Sequence, residues 1–161
     1  LFVAGFIGPP PMNFIEVRIK VVDDAVFVEG PGFSLRLPPE KAAAARPYDG
    51  KQVVFGIRPN DIYGSDLSPV VRPSEDNTIT VTVDVVEPMG AEAILYLSAG
   101  GLRLVASVDS ATHAAEGDTI QAVLDLDRAY LFDPDTEHAI FTAATGMPHL
   151  VPSGSHGTAG E

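Results

Sequence analysis

The 161-residue chain has no cysteine, no tryptophan and only three lysines, Lys20, Lys41 and Lys51. Without cysteine there is no disulfide, no thiolate metal site and no thiol nucleophile. Positive charge is scarce: 10 basic residues face 22 acidic ones, for a net charge of −12. That balance argues against nucleic acid as a partner, because phosphates demand Lys and Arg. It argues equally against a polybasic membrane anchor. No apolar run approaches the roughly 20 residues of a spanning helix. The apolar start, LFVAGFIG, stops at Pro9-Pro10-Pro11, and proline ends regular structure. No basic stretch precedes it, so it is not expected to be a secretory signal. The first residue is Leu, which leads us to expect a piece of a longer chain.

What is present is enough for a core. Hydrophobic residues make up 45% of the chain, too many for a disordered acidic tail. A chain of this size buries roughly 68–70% of its unfolded surface. Over residues 15–21, Ile15, Val17, Ile19 and Val21 alternate with Glu16, Arg18 and Lys20. A period of two predicts a strand with one buried and one wet face. The same alternation recurs over 25–29, 33–37 and 79–85, where Ile79, Val81, Val83 and Val85 face the polar Thr80, Thr82 and Asp84. Further strands are expected over 51–58, 93–97, 102–108 and 119–126. Turns are expected at Asp23-Asp24, Gly30-Pro31-Gly32, Pro88-Met89-Gly90, Gly100-Gly101 and Glu116-Gly117-Asp118. The one helical candidate is 40–46, an alanine-rich connector with Pro39 in its first turn and Pro47 at its end. Residues 60–77 read as a long polar surface loop or hairpin; there is no strict internal repeat, but two similar halves split there would be consistent with two small barrels. About eight short strands at this spacing predict an all-β protein, a small β barrel or a sandwich. Absence of long alternating helices argues against a doubly wound fold.

Catalytic chemistry finds little support. No G-x-x-x-x-G-K-[ST] phosphate loop is present, since Lys51 follows Gly50 without the required spacing. His113, His138, His149 and His156 lack the i, i+3 or i+4 spacing of a helical metal site. The segment from Asp133 to Glu137 resembles a calcium loop only superficially: Pro134 stiffens it and position 12 is Ala144. A solvated turn is the expectation there. We therefore expect no catalytic residue, no cofactor site and no metal site in this chain.

Four stretches, in order, carry a family resemblance. They are Phe2-Val3-Ala4-Gly5-Phe6-Ile7-Gly8 running on to Pro10-Pro11-Met12-Asn13-Phe14, then Gly56-Ile57-Arg58-Pro59-Asn60-Asp61-Ile62. The third is Val85-Val86-Glu87-Pro88-Met89-Gly90-Ala91-Glu92, and the last is Tyr130-Leu131-Phe132-Asp133-Pro134 to Ala139-Ile140. Together, over residues 1–141, they resemble the C-terminal regulatory region of ATP-binding subunits of carbohydrate ABC importers, the transport-associated OB ("TOBE") domain.

The resemblance implies small OB-type barrels, two of them interleaved. It implies that residues 1–8 end a helix or hinge from an upstream ATPase domain, 9–146 form the OB-fold regulatory domain, and 147–161 form a flexible tail. ATP and Mg would be bound upstream, not here. The chain would form a homodimer that holds two ATPase subunits together, would meet membrane permease subunits and a regulatory protein, and would sit in the cytoplasm at the inner face of the membrane. Arg58, Asn60, Asp61, Glu87 and Glu92 are the candidate regulatory or interface residues. Asn60 stands where the family usually has Glu, which removes a carboxylate that Arg58 would pair. The alternative is a ligand-binding TOBE domain of an anion, polyamine or metal-complex importer, which ten basic residues against 22 acids disfavour for anions.

Overall fold

The computed structural model describes residues 11–67 and 71–146. The expected hinge over 1–8 and tail over 147–161 lie outside them. Eleven strands and one short helix are present among the described residues. In chain order they are β1 (Asn13–Val22), β2 (Ala25–Gly30), β3 (Phe33–Arg36), α1 (Pro39–Ala45), β4 (Gln52–Ile57) and β5 (Ile62–Gly64). Then come β6 (Thr78–Met89), β7 (Glu92–Ala99), β8 (Leu102–Asp109), β9 (Thr119–Leu124), β10 (Tyr130–Phe132) and β11 (Ala139–Phe141).

The strands form two antiparallel sheets, ordered β11-β10-β4-β1-β2-β3 and β5-β9-β6-β7-β8. The edge strands β5 and β8 of the second sheet lie against each other, so that sheet is nearly a closed barrel. The all-β, barrel-type expectation holds. The two sheets are not the two halves of the sequence. β10 and β11 come from the far end of the chain and pair with β4 in the first sheet. The inner faces of both sheets supply one continuous core, with Ile19, Val28, Leu35 and Phe55 from one and Leu95, Leu104, Ala122 and Leu124 from the other.

Alternation in β1 is as read: Ile15, Val17 and Ile19 are buried while Glu16, Arg18 and Lys20 are exposed. In β6 it breaks. Val83 pairs with Leu97 but Val85 pairs with Tyr96, so Asp84 is an extra residue, a β-bulge. A bulge shifts the side-chain register by one. Val83 is fully buried, whereas Val85 is 45% exposed and Val86 turns inward instead. Pro88 and Met89, expected as turn residues, extend the strand, and the turn falls on Gly90 at φ +75°. Proline is tolerated because β9 pairs with β6 only up to Thr82, leaving Pro88 on a free edge. That edge is further blunted where the Glu116 carboxylate accepts from Val86 N at 3.2 Å.

Residues 60–77 hold regular elements, with the end of the 3-10 turn Pro59–Asp61, β5, and a second 3-10 turn at Ser65–Leu67. Ile62 drives this, fully buried opposite Leu124. The helix ends at Ala45, and Pro47 sits inside a following 3-10 turn, Arg46–Tyr48, rather than closing the helix itself.

One side chain joins the sheets directly. Asn13, at the start of β1, donates from Nδ2 to Ile57 O at 3.1 Å and to Val105 O at 2.9 Å. Its Oδ1 accepts from Val105 N at 2.8 Å. The amide therefore acts on the free edge of β8 as a peptide of a neighbouring strand would. Asn13→Asp keeps the shape but removes both donors and faces two carbonyls with a carboxylate. We expect it to cost about 2 kcal/mol, read as a lower urea midpoint at unchanged slope. An unchanged midpoint would remove Asn13 from the coupling of the sheets.

Candidate regulatory site

The five candidate residues fall into two groups. Arg58, Asn60 and Asp61 lie at the 3-10 turn Pro59–Asp61 that leaves β4. Pro59 at its first position supplies the fixed φ such a turn begins with. Asp61 N donates to Arg58 O at 3.0 Å, which closes it. Asn60 points outward and is exposed. Asp61, not position 60, makes the ion pair: its Oδ1 accepts from Arg128 Nε at 3.1 Å. Arg58 acts on the same carboxylate, favouring its charged form.

Sequence reasoning missed the partners of this turn. Asp125 N donates to Asp61 O at 2.9 Å, and the Asp125 carboxylate accepts from Asp127 N at 3.2 Å. Asp125 thus caps the 3-10 turn Leu126–Arg128 that leads into β10. The signal was present in the sequence as an Asp two residues before another polar residue at the end of a strand. Across the cluster lies Lys41 of α1, almost wholly buried beside Ala42 and Ala45. Its Nζ donates to Asp127 O at 2.8 Å and to Thr145 O at 2.6 Å, and stands 5.6 Å from the centre of the Phe141 ring. A cavity of about 300 Å³ adjoins the cluster, lined by Arg36, Pro38, Asp76 and Asp125 among others.

Burial decides the electrostatics. Desolvation pushes the Asp61 carboxyl above the usual carboxylate range, with Arg128 opposing it. Desolvation and then Asp127 push Asp125 up as well. Desolvation pulls the Lys41 ammonium below the usual lysine range, against the pull of Asp127 and Asp125. Raised folded-state pKa values mean that the folded chain binds more protons than the unfolded one. Their contribution to stability is therefore present at acid pH and lost as pH rises through the folded-state values.

The second group, Glu87 and Glu92, sits on the β6–β7 hairpin, exposed. Tyr96 Oη donates to Glu87 Oε1 at 3.1 Å, which holds the phenol protonated above its usual range. Ser107 Oγ donates to Glu92 at 3.3 Å. Around them the outer face of the hairpin shows Val85, Met89 at 59% exposure, and Tyr96. Leu131 and Phe132 are wholly buried, as core rather than surface. Gly56 allows close approach: a Cβ there would lie 2.6 Å from Met12 Sδ and 3.2 Å from Phe132. The segment after Asp133 is a solvated turn, with Asp133 Oδ1 accepting from Asp135 N at 2.8 Å. Among the described residues no group of three or more His, Asp or Glu is placed to hold a metal, and no helix is long and apolar enough to cross a membrane.

Comparison with known proteins places these elements. Residues 8–62 match the family "MalK OB fold domain" and residues 55–132 match "TOBE domain". The trehalose/maltose import ATP-binding protein MalK of Thermococcus litoralis is 39% identical over 142 residues, 87% of this chain and 37% of that protein. The multiple sugar-binding transport ATP-binding protein MsmK of Streptococcus mutans is 36% identical over 141 residues, 86% of this chain and 36% of that protein. The chain thus spans little more than a third of these relatives. The molybdate-bound structure of the cytoplasmic molybdate-binding protein ModG superposes with a TM-score of 0.58 at 20% identity, covering 76% of this chain and 96% of that one. At that identity the likeness is one of fold.

The pH argument gives a test. Asp125→Asn keeps an N-cap acceptor but no charge. Melting of both proteins between pH 4 and 7.5 should show the variant gaining on the wild type as pH rises. Parallel curves would mean that the Asp125 charge is not held at a cost.

Proposed function

The chain belongs to the family of OB-fold and TOBE domains that its residues 8–132 match, and we propose that it is the non-catalytic regulatory and dimerisation domain of the ATP-binding subunit of a sugar ABC importer. The observation that carries this reading is the unbroken run of the two domain types over one chain, shared with sugar-import ATP-binding proteins at 36–39% identity. ATP and Mg are then bound by a separate upstream ATPase domain, and the whole subunit works in the cytoplasm against membrane permease subunits. This chain's task is to hold two subunits together while the ATPase domains open and close, and to receive regulatory contacts.

The outer face of the β6–β7 hairpin supports the dimerisation part. Val85, Met89 and Tyr96 are the large apolar residues it leaves exposed, with Glu87 between Val85 and Met89 on the same face and Glu92 at the turn end. Apolar surface gathered on one face of a sheet is a usual form of protein contact, and the carboxylate within this face, Glu87, is already hydrogen-bonded to Tyr96. A domain tied to its neighbour through β-sheet faces stays in contact while flexibly joined ATPase domains move.

Light scattering on the purified chain checks the dimer. The expected mass is twice the 16.9 kDa of one copy, and Met89→Asp should shift it toward the monomer. A strict monomer at high concentration would refute dimerisation by this domain alone. The gene offers an independent check: the reading requires a phosphate loop and an ABC signature encoded ahead of Leu1, and their absence would sink it.

A further inference from the structure

A groove of about 480 Å³ separates the outer face of the first sheet from the start of β8. One wall carries Phe14, Glu16 and Gln52; the other carries Gly101 and Arg103, with Pro31 at the rim. Its size is within the range of small-molecule sites. The two walls belong to different sheets, and the Asn13 amide ties them together beside the groove. It binds Val105, two residues beyond Arg103, while Phe14 follows it directly in β1. The spacing of the two strands that carry the walls is therefore fixed by the hydrogen bonds of the part-buried Asn13 amide to the backbone of Ile57 and Val105.

The lining has a definite chemistry. Phe14 is 37% exposed, and its ring is held edge-on by Phe132, centroids 6.1 Å apart at 62°. The ring is an apolar platform fixed in orientation. Gln52 Nε2 donates to Glu16 Oε1 at 3.1 Å. That bond orients both groups and leaves the amide oxygen, the second amide hydrogen and the second carboxylate oxygen for a ligand. Arg103 forms no ion pair among the described residues. Gly101 adds no bulk, and a Cβ there would meet nothing within 4 Å. One cation and one anion give the lining no net charge. A free oxyanion would meet Glu16, and a polyamine would meet Arg103.

We propose that this groove binds a neutral saccharide. The electron-rich face of Phe14 accepts the polarised C–H face of a pyranose ring. The planar amide, carboxylate and guanidinium of Gln52, Glu16 and Arg103 exchange hydrogen bonds with its hydroxyls. The site assignment stands on the lining alone. It rests on the proposed importer function only for the choice of probes, and the mass measurement tests that function separately.

The experiment is an amide NMR titration of the whole chain with maltose and with trehalose. Sodium sulfate and spermidine are titrated separately at matched ionic strength. The expected result is saturable movement of the Gln52, Gly101 and Arg103 amides by at least one sugar, with a Kd on the order of 1 mM. Phe14→Ala and Arg103→Ala should each weaken it roughly tenfold, about 1.4 kcal/mol, with the remaining spectrum preserved. Three results would overturn the proposal: no saturable shift with either sugar, undiminished binding by both variants, or saturation at these amides by sulfate or spermidine instead.

Discussion

Two antiparallel sheets in one small chain must be joined without a shared strand, and here one side-chain amide bridges them beside the apolar core they share. Asn13 carries one donor group and one acceptor in the geometry of a peptide unit, and it spends them on Val105 and Ile57. β8 is the last strand of its sheet, so its outward N–H and C=O groups would otherwise need water or a foreign strand. Asn13 of β1 satisfies both groups of Val105, at the middle of that edge. It also fixes where the second sheet sits on the first. The groove beside Phe14 and the packing of β8 on the Pro59–Asp61 turn both inherit that placement.

A second constraint is the return of the chain's end. β10 must find β4 after the chain has completed the other sheet. The pairing is short, three residues wide, and apolar contact through Leu131 and Phe132 stabilises it without specifying a unique approach. The turn before it is specified by charge. Asp61 meets Arg128, and Lys41 reaches two backbone carbonyls, one on each side of β10–β11. Buried charges contribute little net stability, because desolvation offsets the Coulomb gain. The raised Asp61 and Asp125 and the lowered Lys41 express that cost directly. Their value lies in penalising every arrangement that leaves one of them unpaired, which is a matter of specificity more than of stability.

Much of this was legible in the sequence, for reasons that differ by element. β1 and β3 showed themselves because one face of each is wet, so burial imposes a period of two. β6 showed itself as a strand, but its bulge did not: nothing in Asp84 announces an extra residue, and the inward role passed from Val85 to Val86. β5 was hidden because three residues are too few to carry a period, and its only mark is Ile62. The candidate site was half legible. The Arg58–Asp61 turn was found through its proline and through resemblance, while Lys41, Asp125, Arg128 and Asn13 were not. Each of those four acts across 64 or more residues of sequence, on Thr145, Asp61 or Val105. Separations of that length leave no periodic trace, and only the closed topology brings the partners together.

The acidic balance of the chain bears on how such a domain can assemble. Two copies, each at −12, repel at long range, although salt limits that repulsion to roughly 8 Å at physiological ionic strength. Attraction must therefore come from apolar contact, with carboxylates at the rim or tied down within the face. On the β6–β7 hairpin Val85, Met89 and Tyr96 share the face with Glu87, which Tyr96 ties down, while Glu92 at the turn end is held by Ser107. A carboxylate already hydrogen-bonded within its own chain has one conformation to present, and so needs less ordering when a second surface arrives. The bulge at Asp84 is what makes this face. Without the inserted residue the period of two would carry Val85, Glu87 and Met89 inward; the bulge turns them outward and so places Val85 and Met89 on the wet face.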